Sequence, residues 1–127
     1  MVGPLCIAEC RVKVGVALEH AGNTHTVQDV CALIRQNRLQ VWVDDDSILL
    51  TEIAELPSEK LLHYFLATGS LAAIKRLRRE ALAWAHAQGC TMELLTGRPG
   101  WQRVAEQLAS GWNQPMIQMS RKLTCQE

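Results

Sequence analysis

The chain has 127 residues, 48% of them apolar and 20% charged, which suits one globular domain and excludes a disordered chain. Thirteen Lys and Arg balance thirteen Asp and Glu, so no net field draws the whole protein to nucleic acid or to an anionic membrane. No apolar run approaches the roughly 20 residues of a membrane span, and no basic stretch followed by an apolar core opens the sequence. Five cysteines (Cys6, Cys10, Cys31, Cys90 and Cys125) form no Cys-x-x-Cys pair and read as reduced, buried thiols. Cys6 and Cys10 with His20 and His25 make a poor zinc set, because the histidines are not a tight second pair. No metal site is expected.

One domain is expected over 1–127, with 1–10 and 124–127 as flexible tails, although Pro4 to Ala8 could also form a short strand. Val12, Val14, Val16 and Leu18 alternate like a strand, yet Val12, Val16 and the following Glu19-His20-Ala21 equally suit a helix ending at Gly22. Thr26 opens Thr-Val-Gln-Asp, close to a capping box, and Val27, Val30, Cys31 and Ile34 follow at helical spacing. A helix from Val27 to about Gln36 follows from that pattern.

Leu39, Val41 and Val43 alternate with polar or aromatic neighbours, and Asp44-Asp45-Asp46-Ser47 supplies turn chemistry. Ile48 to Ala54 is the returning strand. After a turn at Pro57-Ser58, the run Leu61–Ala67 is almost wholly apolar, as a strand covered on both faces would be. Thr68-Gly69-Ser70 ends it, and Ser70 can cap a helix whose stripe is Leu71, Ile74, Leu77, Ala81 and Ala85, stopping at Gly89. Thr91–Thr96 reads as a short strand. Pro99 is placed to begin a helix buried through Trp101, Val104, Ala105 and Leu108. A final alternating segment, Met116–Leu123, predicts a fifth strand over 115–123. The fold class is α/β: one mixed, mostly antiparallel sheet with a central β-α-β unit and flanking helices, unlike a doubly wound sheet.

This order is similar to the GNAT acetyltransferase fold. Glu80-Ala81-Leu82-Ala83-Trp84-Ala85-His86-Ala87-Gln88-Gly89-Cys90, followed by Thr96-Gly97-Arg98-Pro99-Gly100-Trp101, resembles the GNAT-like proteins of tailed phages. Those carry a helix ending in Gly-Cys, a strand, and then Gly-Arg-x-Gly-Trp. Gln40-Val41-Trp42 and the Thr24-His25-Thr26-Val27-Gln28-Asp29-Val30 helix start also look like that group, and the resemblance spans about residues 11–123.

The family binds the acetyl-CoA pyrophosphate on backbone N–H groups in a Gln/Arg-x-x-Gly-x-Gly/Ala turn at the start of the central helix. The matching place is Thr68, Gly69 and Ser70. It has one glycine and no preceding Gln or Arg, so acetyl-CoA is expected to bind weakly or not at all. The family often uses a Tyr on the helix after the next strand to protonate the departing thiolate. The single tyrosine here, Tyr64, lies on the preceding strand. Glu52 or Glu93 could take an amine proton, but each fits a strand's polar face equally well, and His63 reads as a satisfied core or edge histidine. No nucleophile with its base is legible, and no catalytic residue is assigned.

Lys75, Arg76, Arg78 and Arg79 read as the solvated face of the long helix. The four tryptophans stand out against one Phe and one Tyr. Trp84 and Trp101 suit the core, whereas Trp42 and Trp112 read as candidates for exposure. Arg98, Trp101, Arg103 and Trp112 form the candidate partner surface, with Trp101 packed beneath Arg98 as the other account. The resemblance therefore implies a non-catalytic virion protein near the head-to-tail junction, assembled in the host cytoplasm. Its partners would be a multi-copy ring of portal or tail subunits, not nucleic acid or membrane. The other expectation is an active acetyl-CoA-dependent N-acetyltransferase with an atypical cofactor loop.

Overall fold

The computed structural model describes residues 11–20 and 24–123. Helix α1 (Arg11–His20) buries Val14 and Leu18, four apart on one face, which decides between the helix and the strand in favour of the helix. Val16, expected on the buried stripe, is exposed instead, so the register differs from the sequence reading. The tail at 1–10 with its candidate strand, the Gly22 stop and the tail at 124–127 lie outside the described residues. So do Cys6, Cys10 and the His20 side chain. Helix α2 (Val27–Arg35) starts where expected. Thr26 Oγ1 accepts the Asp29 N–H at 3.1 Å and the Asp29 carboxylate accepts the Thr26 N–H at 2.9 Å.

Strands β1 (Gln40–Asp44) and β2 (Ser47–Glu55) form a hairpin whose two-residue loop puts Asp45 at φ 53°, a left-handed conformation that Asp tolerates. Strand β3 (Lys60–Thr68) pairs antiparallel with β2. Strand β4 (Met92–Leu95) pairs parallel with β3, after the crossover helix α3 (Leu71–Ala87). The sheet order is β1-β2-β3-β4, which places β3 inside the sheet and makes β3-α3-β4 the expected β-α-β unit.

A bulge redirects β3. Leu50 pairs with Leu66 and Thr51 with Tyr64, so Phe65 has no partner on β2. Leu62 and Tyr64 therefore face one side of the sheet, while Phe65 and Leu66 face the other. Val14, Val30, Ile34, Val41, Ile48 and Leu66 form the core under α1 and α2. Trp42, Leu49, Leu62, Tyr64, Leu77 and Ala81 form the core under α3. Trp42 is thus 3% exposed, not a surface residue. Its Nε1–H donates to Thr51 Oγ1 at 2.9 Å, and it meets Trp84 edge-to-face at 5.9 Å. The long helix stops as expected: Gly89 takes φ 89° and the Cys90 N–H bonds back to Ala85 O.

Helix α4 (Trp101–Leu108) is the last regular element among the described residues, so the expected strand at 115–123 is not part of the sheet. Met116, Ile117, Met119 and Leu123 are 79–93% exposed. Alternation alone does not make a strand, because its backbone groups need an adjacent edge, and among the described residues this segment pairs with none.

Candidate functional site

The turn at 68–70 is shaped by contacts inside the fold. Gly69 has φ 125°, and a Cβ there would fall on the Ser47 side chain, so glycine is required by both conformation and space. The buried Ser47 hydroxyl accepts the Ser70 N–H at 3.1 Å. Ser70 Oγ in turn accepts the Ala73 N–H at 3.2 Å as the N-cap of α3. Two of the N–H groups that a phosphate would seek at this helix start are already taken.

Arg98, Trp101, Arg103 and Trp112 lie around α4. The two arginines are exposed and the two tryptophans half-buried. Trp101 packs on the backbone of the preceding loop, where a Cβ on Gly97 would lie 2.8 Å from its Cδ1. The Trp112 Nε1–H donates to Ala105 O at 2.8 Å and Ala109 O at 3.1 Å, capping the carbonyl end of α4. Trp112 is therefore tied to its own helix.

The basic run on α3 divides. The Arg76 Nε–H donates to Asp44 Oδ2 at 2.7 Å across the surface. Arg78, expected on the solvated face, instead turns inward. Its Nε and Nη2 donate to the two Glu93 carboxylate oxygens at 3.0 and 2.8 Å, and Nη1 donates to Leu108 O at 3.3 Å. The Tyr64 hydroxyl donates to the same Glu93 at 2.8 Å. Burial first, and the Glu93 carboxylate second, push the Tyr64 phenol above its ordinary pKa and keep it protonated. Both Glu93 carboxylate oxygens are consequently engaged by Arg78 and Tyr64.

Across the sheet, one residue earlier in the chain, His63 has a different setting. Its Nδ1 is 2.7 Å from Glu52 Oε1 and its Nε2 is 2.8 Å from Thr96 Oγ1. The carboxylate can only accept, so Nδ1 carries the hydrogen, and in the neutral ring Nε2 accepts from the threonine hydroxyl. The His63 and Glu52 side chains are 18% and 40% exposed, and Glu52 lines an open cleft of about 450 Å³ together with His25, Asp29, Gln36 and Phe65. Both ring nitrogens of His63 are thus hydrogen-bonded within the sheet. The Glu52–His63 contact is a direct cross-strand pair of β2 and β3. Thr96 was missed because its place depends on the parallel β3–β4 register, His63 against Leu94, which no local motif encodes. Among the described residues, no group of three or more His, Cys, Asp or Glu could hold a metal, and no helix is long and apolar enough to cross a membrane.

No family model and no curated protein matches the chain. Among solved structures, one described as a probable acetyltransferase superposes with a TM-score of 0.67 at 8% identity, over 97% of this chain and 95% of that one. The Thermus thermophilus protein TTHA1254 superposes with a TM-score of 0.56 at 12% identity, over 78% of this chain and 81% of that one. A point-mutant form of it gives 0.59 at 12% identity, over 79% and 82%. At such identities the likeness is one of fold, and the chain has an acetyltransferase-like fold.

Proposed function

We propose that the chain is a non-catalytic assembly protein on an acetyltransferase-like fold, serving in a tailed-phage particle beside a ring of portal or tail subunits. The observation that carries the assembly reading is the segment 116–123, whose four large apolar side chains are 79–93% exposed beside an otherwise packed body. The filled start of α3 supports the non-catalytic part, since Ser47 and Ser70 occupy N–H groups that acetyl-CoA would need. The Gly97-Arg98-Pro99-Gly100-Trp101 resemblance supports the phage setting. The test is a thermal melt with millimolar acetyl-CoA, where ligand at a hundred times its dissociation constant adds about 2.7 kcal/mol. No shift is expected. An upward shift together with thiol release from acetyl-CoA would overturn the non-catalytic reading.

An N-acetyltransferase is the second reading, and the Glu52–His63–Thr96 arrangement is the observation in its favour. An acceptor amine replacing the Thr96 hydroxyl at Nε2 would pass its proton to His63 while Glu52 holds the ring's tautomer. On that reading His63→Gln abolishes acetyl transfer without unfolding the chain.

A further inference from the structure

We propose that Thr96 is a modification site: its hydroxyl takes one acyl group from an activated ester, with His63 as general base and Glu52 positioning His63. The inference goes beyond the assembly reading and does not use the turn at 68–70. Its basis is a continuous line of contacts from β2 through β3 to the residue that follows β4. Glu52 Oε1 stands 2.7 Å from His63 Nδ1, and His63 Nε2 stands 2.8 Å from Thr96 Oγ1. A hydroxyl in reach of a base that is itself held by a third group is the arrangement that activates an oxygen nucleophile.

The other bonded hydroxyls of the fold differ. Thr51 donates to Gln40, Tyr64 to the Glu93 carboxylate and Thr91 to the Glu59 carboxylate. None of those acceptors is an imidazole. Thr24 Oγ1 does meet the His25 ring, at 2.8 Å from Nδ1, but among the described residues no carboxylate is bonded to that ring. Thr96 is also accessible. It is exposed, whereas the His63 side chain beside it is only 18% exposed. Leu94 pairs with His63 in the parallel register and so shares its face, as does Met92 by alternation. These two side chains are 38% and 36% exposed and offer an apolar seat for the acyl chain.

In the step itself, Thr96 Oγ1 bonds to the ester's carbonyl carbon while its proton passes to His63 Nε2. The bond from that carbon to the leaving oxygen then breaks, and the oxygen departs with the proton that His63 returns. Glu52 accepts the Nδ1–H throughout and stabilises the transient imidazolium. The products are an acyl ester on Thr96 and one equivalent of free alcohol. No oxidant, reductant or cofactor is consumed.

The probe is p-nitrophenyl acetate added to the full chain, with nitrophenol release followed by absorbance and the acetyl group located by peptide mass spectrometry. The expected result is a burst of one equivalent per chain, with the acetyl group on Thr96. Thr96→Val should abolish the burst with no change in the thermal melt, because the side chain is exposed. Thr96→Ser and Thr24→Val should keep it. His63→Gln should slow it at least about a hundredfold. Glu52→Gln should lower the rate constant of the burst while leaving its amplitude and the melt unchanged, an effect that a merely structural carboxylate would not have. A wild-type chain without a burst overturns the proposal. So does release that persists in Thr96→Val with the acetyl group on His63 or a lysine. The probe carries no CoA, so the result is independent of acetyl-CoA binding and of assembly.

Discussion

Strand β2 and the segment 116–123 are both read as strands from their apolar residues, and they meet opposite fates. In β2, Ser47 to Thr51 are buried, because β1 and β3 flank the strand and helices cover both faces. In the C-terminal segment the large apolar side chains are almost fully exposed, with no flanking strand among the described residues. The pattern that marks a strand specifies which side chains share a face and is silent on which edge will receive it. Strand β2 is thus enclosed by its neighbours, whereas 116–123 is exposed, non-strand backbone that pairs with no strand among the described residues.

That contrast can be broken most severely from inside the body. Leu77 is 1% exposed beneath α3, so Leu77→Asp buries an unpaired carboxylate and costs more than about 4 kcal/mol, enough to remove the cooperative melt. Next comes the polar network on the same face. Glu93→Gln leaves Arg78 without its carboxylate, at a cost of about 2 kcal/mol measured by urea denaturation, because these side chains are only 12% and 21% exposed. Removing the α2 cap with Thr26→Ala costs about 1 kcal/mol. The same variant changes the acid limb. The Thr26 backbone N–H, then its hydroxyl, hold the Asp29 carboxyl below its ordinary pKa. That stabilisation is present above the unfolded carboxylate pKa and is lost as pH falls through the folded value, so Thr26→Ala should flatten the loss seen on acidification. Smallest is the effect of Met119→Asp on the melt of the dilute chain, which should not change.

Features written in contiguous residues were legible in the sequence. The Thr26–Asp29 capping box, the Asp45-Asp46 hairpin loop, the Ser70 cap and the Gly89 stop each place an element within a residue or two of its observed end. Features that depend on distant partners were not. The sequence shows a Trp at 42 but not that Thr51 and Gln40 satisfy its indole through a buried chain of hydrogen bonds. Arg78 sits in a basic run that reads as solvated, and only the packing of β4 against β3 brings Glu93 beneath it. The Phe65 bulge sets which residues of β3 face α3, and nothing in the Leu61–Ala67 run announces it. At the candidate sites, the cap and the turn at 68–70 were readable, whereas the Ser47 hydroxyl on the Ser70 N–H and the Thr96 hydroxyl on His63 are products of topology.

The central contrast, a β2 enclosed in the sheet against an exposed segment 116–123, is tested most directly by amide hydrogen exchange. Peptides covering β2 and residues 115–123 should be followed in the dilute chain. Slow exchange in β2 and fast exchange in 115–123 are expected. Protection of 115–123 equal to that of β2 would contradict the contrast.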